Sequence, residues 1–373
     1  MLYTNAKIFT PSGYVRGSFQ VENGIFTAIY TEPTSGGEDL GGAKVLPGLV
    51  DIHIHGAAGA DASDAEVEEI RHMSAYLARR GITAFLPTLM TLPEQTAERA
   101  LRAIHEAAHG DARVGARILG ARMEGPFLSK KRCGAQDPTF LRDPDVETFY
   151  RLWERGGGEI RLLDLAPELP EAISFLRQTG ALCRVSLGHT AADYAAASAA
   201  FDAGASHVTH LFNAMEPLHH RAPGLIGAAC ERQNVTAELI CDGVHVHPSA
   251  VRLAFRLFGE RLCLVSDALR CCGQSEGDYE LTGRRVTLRG GAAYLPDGTL
   301  AGAATDLFTA MKNAMCFGIS EETAVRACTA IPARIAGCGD ALGTIEPGKR
   351  ADFLVCTDDL MLRRVYIGGR CIQ

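Results

Sequence analysis

A chain of 373 residues is long enough for one barrel-sized core and a smaller unit beside it. With 47% apolar and 22% charged residues, its composition is that of an ordinary folded protein and excludes a disordered or fibrous class. The net charge of −7 and the lack of a Lys/Arg tract exclude an electrostatic footprint for nucleic acid, although local arginines or histidines can still hold a small anion.

The chain opens on Met1 to Tyr14, a strand pattern interrupted by polar residues, which gives no sign of a signal peptide. Asn5–Thr10 and Gly24–Tyr30 read as short strands, the second following a Glu22-Asn23-Gly24 turn, and Thr34–Gly37 reads as a loop. Gly343 to Gln373 has the same character, with tight turns between apolar runs. Both ends are expected to be β-rich and the middle not. The economical arrangement is a small β-sandwich domain of residues 1–47 and 340–373, with a catalytic domain of residues 48–339 inserted between them.

The inserted part begins with Lys44-Val45-Leu46-Pro47-Gly48-Leu49-Val50-Asp51-Ile52-His53-Ile54-His55-Gly56. In a strand, residues two apart share a face, so His53 and His55 project together with Asp51 behind them. Such a pair suits a first-row metal such as zinc or iron. Glu66–Arg80 is an amphipathic helix with Val67, Ile70, Met73 and Leu77 on one face. Further strands are expected at Gly81–Thr88, Ile118–Met123, Ile160–Glu168, Ala181–His189, His207–His210, Val235–Cys241 and Leu262–Asp267. Helices are expected at Gln95–Ala108, around Ala192–Ala203 and at Pro248–Phe258.

Eight strands separated mostly by helices predict a (β/α)8 barrel, and no strand is followed by the Gly-x-Gly-x-x-Gly turn of a doubly wound sheet. The strands end in His-x-His, Glu124, His189, His210 and Asp267. A barrel gathers all its strand C-termini at one rim, which predicts a metal site there. No apolar run reaches the roughly 18 residues that span a bilayer, so no membrane partner is expected. The 12 cysteines are scattered without a Cys-x-x-Cys pair, as in a cytoplasmic protein with reduced thiols. Cys271 and Cys272 are read as packing residues, and the basic run Lys130–Arg132 as a solvated loop.

These motifs resemble the amidohydrolase superfamily and, within it, the N-acetylglucosamine-6-phosphate deacetylases. His-x-His and the closing Gly343-Thr344-Ile345-Glu346-Pro347-Gly348-Lys349-Arg350-Ala351-Asp352 are general to the superfamily. The narrower signal is Met123–Leu128, Ser186–Thr190, His210–Met215 with Arg221–Gly224, Cys241–Val246 and Val265–Ala268. The resemblance implies a metal held by Glu124, His189 and His210, where many relatives bridge two ions with a carbamylated lysine. It implies a second ion on His53 and His55 with Glu124 as the bridge, so one or two divalent ions per subunit. An ion there acidifies a water for attack, and Asp267 accepts its proton and returns it to the sugar nitrogen.

For the substrate, Arg221 is the first candidate, because a guanidinium grips phosphate oxygens bidentately. The resemblance adds Asn213, Ala214, Asp242, Gly243, Val244, His245, Ala135, Gln136, Leu300, Ala301 and Gly302. In members of the family the arginine at Arg221 reaches the neighbouring subunit's site, which implies a homodimer. Gln136 stands where some single-metal relatives have a histidine that polarises the carbonyl, and it would do so more weakly. The expected reaction is hydrolysis of N-acetylglucosamine 6-phosphate to glucosamine 6-phosphate and acetate. The galactosamine epimer, a cyclic-amide hydrolase and a non-catalytic scaffold of the same fold are the alternatives.

Overall fold

Eight parallel strands follow one another around the centre of the molecule in chain order, in a computed structural model that describes residues 1–32, 34–110 and 115–373. They are β1 (Leu49–Ile54), β2 (Ile82–Leu89), β3 (Ala121–Met123), β4 (Ile160–Leu165), β5 (Arg184–Leu187), β6 (His207–Val208), β7 (Thr236–Ile240) and β8 (Leu262–Val265). Each pairs in parallel with the next, and the Asp267 N–H closes the ring by donating to the His53 carbonyl at 2.9 Å. This is the (β/α)8 barrel that the alternation predicted. The strands are shorter than the apolar runs in the sequence, so His189, His210 and Asp267 stand just past their strands rather than within them.

Helices cover the outside: α1 (Val67–Arg79), α2 (Glu94–His109), α3 (Val146–Arg155), α4 (Ala172–Thr179), α5 (Tyr194–Asp202), α6 (Gly224–Cys230), α7 (Pro248–Phe258) and α8 (Leu307–Cys316). Ile70, Met73 and Leu77 of α1 are fully buried, as its periodicity requires, while Val67 is only partly so. Asp145, Asp193 and Asp306 cap α3, α5 and α8 by accepting a backbone N–H three residues on. The sequence pattern predicts α1, α2, α5 and α7 but not α3, α4, α6 or α8.

Both termini share one eight-stranded sheet, in which Phe353–Cys356 lies against Lys44–Pro47, and Lys44–Pro47 lies beside Leu2–Thr10. Phe26 and Phe353 sit on strands four places apart in that sheet, yet their rings lie 5.9 Å apart. A flat sheet would separate them by about 19 Å. The sheet therefore curls over a core of Tyr3, Phe19, Phe26, Phe353 and Tyr366, giving it the two facing layers of a sandwich.

One expectation needs correcting. The middle of the chain is not free of antiparallel structure: Gly277–Leu281, Arg284–Arg289, Ala292–Tyr294 and Leu300–Ala303 form a four-stranded meander directly after the eighth barrel strand. Its own apolar cluster, with Leu281, Val286, Leu288 and Leu295, packs against Leu269 and Cys271. Ala303 is hydrogen-bonded to both Asp267 and Leu269, which hangs the meander over the barrel's C-terminal rim. No helix among the described residues is long and apolar enough to cross a membrane.

Candidate active site

Five side chains converge at that rim. His53 lies on β1 and His55 just past it, Glu124 follows β3, and His189 and His210 follow β5 and β6. The His189 Nε2 and His210 Nε2 atoms each lie 3.0 Å from Glu124 Oε1 and 3.1 Å from each other. His55 Nε2 is 3.1 Å from the other oxygen, Glu124 Oε2, and His53 Nε2 is 3.4 Å from Oε1. Asp267 joins them, with Oδ1 3.3 Å from His55 Nε2 and 3.4 Å from His53 Nε2.

Backbone geometry aims these groups. Of the twelve non-glycine residues with positive φ among the described residues, five belong to this rim: His189, His210, Phe212, Ala214 and Asp267. Left-handed backbone at residues with a Cβ costs free energy and persists where the surroundings impose it, commonly at functional sites. Here it occurs where His189, His210 and Asp267 turn in just past β5, β6 and β8.

The far side of three rings fixes their protonation. His55 Nδ1 faces the Thr88 carbonyl at 3.1 Å, His189 Nδ1 faces the Arg132 carbonyl at 3.0 Å, and His53 Nδ1 faces Glu238 Oε2 at 2.9 Å. Those oxygens can only accept, so each Nδ1 carries a hydrogen, and in the neutral ring Nε2 then presents a lone pair to the centre. Lone pairs and carboxylate oxygens some 3 Å apart repel one another unless a cation lies between them. His53 Nε2 is buried and has no hydrogen-bond partner, which fits the same conclusion. Imidazole nitrogens and one shared carboxylate are donors for a first-row transition ion. Two ligand groups share Glu124, one with His53 and His55 and one with His189 and His210.

Without a cation between them, the carboxylates draw protons onto the same rings. Burial alone disfavours a charged imidazole, yet the Asp267 and Glu124 carboxylates overcome it and push His55 up to about 9. His53 and His189 also rise against burial, drawn up by the same kind of neighbours. Burial would raise Glu124, but His189 and His53 hold it well below the usual carboxylate range. Asp267 is likewise lowered despite burial, by His53 and His55. The two carboxylates thus set a field at the centre that favours positive charge, carried either by protons on the rings or by an ion in their place.

Around the cluster lies a cavity of about 250 Å³ whose lining includes Ala135, Gln136, Asn213, Ala214, His245, Leu300 and Ala301 with His55, Glu124, His189, His210 and Asp267. Met90, Gly134 and Thr299 line it as well and were not anticipated. Of the other expected residues, His53 lies beneath the lining, and Asp242 accepts from His245 Nδ1 at 2.6 Å. Gly302 packs against Leu269, Val244 is exposed, and Gly243 sits in the turn between Asp242 and Val244. Arg221 is outside the cavity, exposed, and bonded to His220. The cavity's lining contains neither lysine nor arginine.

Gln136 is buried, with both ends of its amide taken up by the protein. Its amide nitrogen donates to Glu124 Oε2 at 2.6 Å, and its oxygen accepts the Thr91 N–H at 2.7 Å. It therefore orients the carboxylate.

Beneath the rim is a polar layer that the sequence reading did not assemble. Arg122 is fully buried two residues before Glu124, so both face the barrel axis. Its guanidinium donates to both Asp164 oxygens at 3.0 Å, to Thr209 at 3.1 Å, to the Ile52 carbonyl at 3.2 Å, and to Glu238. Glu238 in turn holds His207 and His53. The signal was present as charged residues inside apolar strands, each on an inward position.

Comparison with known proteins places this geometry in a lineage. Residues 44–372 match the amidohydrolase family. The Bacillus subtilis N-acetylglucosamine-6-phosphate deacetylase is 41% identical over 84% of this chain and 81% of its own length. The N-acetylgalactosamine-6-phosphate deacetylase of Escherichia coli O157:H7 is 33% identical over 98% of this chain and 97% of its own. Among solved structures, the N-acetyl-D-glucosamine-6-phosphate deacetylase of Mycobacterium smegmatis superposes with a TM-score of 0.93 at 33% identity, covering 100% of both chains.

Proposed function

Because the chain belongs to the amidohydrolase family, we propose that it hydrolyses the acetamide of N-acetyl-D-glucosamine 6-phosphate, giving D-glucosamine 6-phosphate and acetate. The observation that carries this reading is the convergence of four imidazole Nε2 atoms on Glu124 beside Asp267, in a cavity open to a small substrate. The relatives' common chemistry, removal of an acetyl group from an amino-sugar phosphate, supplies the substrate class.

Glu124, His189 and His210 hold one divalent ion in this reading, and His53 and His55 hold a second with Glu124 between them. Both Glu124 oxygens are engaged, Oε1 by His189, His210 and His53 and Oε2 by His55, which supports a shared carboxylate. When bound, such an ion supplies a Lewis acid that polarises the acetamide carbonyl and acidifies a water. Zinc or iron suits these donors.

Asp267 is ionised and within reach of the reacting centre. It takes the proton of the attacking water and returns it to the sugar nitrogen, a poor leaving group until protonated. His245 is positioned for the substrate by Asp242, which holds its Nδ1 and leaves Nε2 facing the cavity. Asn213 is pinned by two bonds from its amide to the His210 and Leu211 carbonyls, which fixes the backbone at Ala214. Gln136 keeps Glu124 in place.

A phosphate needs positive charge, and the cavity's lining offers no guanidinium or ammonium of its own. An exposed Arg221 that reaches the site of a second subunit meets that need, so the active form in this account is a homodimer. Residues 1–47 and 340–373 form the supporting β-sandwich domain and residues 48–339 the catalytic one. The twelve unpaired cysteines favour a cytoplasmic location.

The test is acetate release from N-acetylglucosamine 6-phosphate by the purified protein supplied with zinc or iron. Turnover is expected, and none with any divalent ion would overturn the reading. The Escherichia coli O157:H7 relative favours one alternative, the galactosamine epimer. Paired kcat/KM values on the two sugars decide between them.

A further inference from the structure

We infer that His105, His109 and Glu159 form a separate binding site for a divalent transition-metal ion, at the end of the barrel opposite the active-site rim. His105 and His109 lie one turn apart near the C-terminus of α2 and so share a face. Glu159 immediately precedes β4, at the N-terminal end of that strand. His105 Nδ1 is 3.1 Å and His109 Nε2 is 2.8 Å from the same oxygen, Glu159 Oε2, and the three donor atoms lie within 4.8 Å of one another.

Ligand bonds of about 2.0–2.1 Å place two donors on one ion about 2.9–3.4 Å apart at ordinary coordination angles. The spacing here, 2.8 and 3.1 Å, is close to that, and it matches the 3.0 Å between Glu124 and each of His189 and His210. An ion enters with shifts of a few tenths of an ångström, and these side chains have that freedom at the surface.

The backbone makes room for the arrangement. Gly157 and Gly158, at φ 65° and 75°, form the tight turn that brings Glu159 under the helix. A Cβ on Gly157 would lie 2.4 Å from His105 Nδ1, so the ring occupies space that only glycine leaves open.

Two imidazoles and a carboxylate select zinc, copper(II) or nickel over magnesium and calcium, which prefer all-oxygen sites. The His105, His109 and Glu159 side chains are 43%, 50% and 27% exposed, so waters complete the coordination and the ion exchanges with solvent. Arg71, Arg117, Arg161, Arg350 and Arg370 line a cavity that His109 and Glu159 also border; of these, Arg71 is drawn to Glu68 at 2.6 Å and the Arg161 Nε to the Leu119 carbonyl at 3.1 Å. Binding therefore rests on direct coordination rather than on the local field. A bound ion staples the end of α2 to the head of β4.

The test loads the full-length protein and the His105→Gln/His109→Gln variant with zinc, removes free ion by dialysis against a fixed zinc concentration, and counts bound zinc by elemental analysis. The wild-type protein is expected to hold one more ion per chain than the variant, with the same rate of acetate release. Added zinc, but not added calcium, should raise the wild-type Tm by more than the variant's. Glu159→Gln, a half-buried change that lies outside the helix, should show the same loss of one ion. Equal zinc counts in all three proteins would overturn the proposal, whatever their activity.

Discussion

Arg122→Met tests whether the buried polar layer holds the active site up. The guanidinium is the partner of two carboxylates, Asp164 and Glu238, and all three are fully buried. Burial works against its charge, but Asp164 and Glu238 hold its pKa above the ordinary arginine value. Methionine fills similar volume, leaves Asp164 without its cation and leaves Glu238 with only His53 and His207, and removing one partner of a buried pair costs about 3–5 kcal/mol. At about 2.1 cal/mol/K per residue, 373 residues give an unfolding entropy of about 0.8 kcal/mol/K, so Tm should fall by about 4–6 °C. Thermal unfolding followed by circular dichroism reads this directly. Adding Asp164→Asn and Glu238→Gln removes the stranded charges and should recover more than half of the loss. A single variant as stable as its parent would refute the reasoning, and so would a triple variant no better than the single one.

Four further outcomes follow from the same structure. Asp267→Asn should lower kcat by at least about 100-fold while bound metal, measured by elemental analysis, is retained; loss of the ion instead would make Asp267 a ligand first. Glu238→Gln removes the anionic acceptor of His53 Nδ1, so zinc titration should show the His53–His55 site weakened about 10–100-fold with the His189–His210 site unchanged. Arg221→Ala should raise KM about 10–100-fold with a smaller change in kcat, the value of one charge-assisted phosphate contact, and an unchanged KM would remove Arg221 from the site. Burial pushes the Asp352 carboxyl up from 3.8, against the opposing Gly368 N–H at 2.6 Å. Its contribution to stability is full below the unfolded value and is lost as pH rises through the folded one, so Asp352→Asn should gain Tm relative to its parent as pH rises above about 4, the ordinary aspartate value. A pH-independent difference would contradict this.

The rim was legible because its logic is local. A strand ending in His-x-His, or running into Glu124, announces where the side chain points, and the barrel does the rest. Arg122, Asp164 and Glu238 were visible as charges within strands, but their partners lie 42 and 116 positions away. Nothing in spacing pairs them until the strand order is known. The four-stranded meander is a different case. Thr282-Gly283, Gly290-Gly291 and Asp297-Gly298 are hairpin turns between alternating segments, so its signal was present and local. The role of Gln136 could not be read from its identity, because an amide can polarise a carbonyl or orient a carboxylate. Only its two hydrogen bonds decide between them. Arg221 remains away from its own chain's cavity, and a single sequence carries no geometry for a second subunit.

The account stands most directly on where an ion binds. Crystals grown with zinc, measured on both sides of the zinc absorption edge, should show an anomalous peak within about 2.0–2.3 Å of Glu124, His189 and His210. A strong peak elsewhere with these three side chains uncoordinated, or no peak at the rim at saturating zinc, would contradict it.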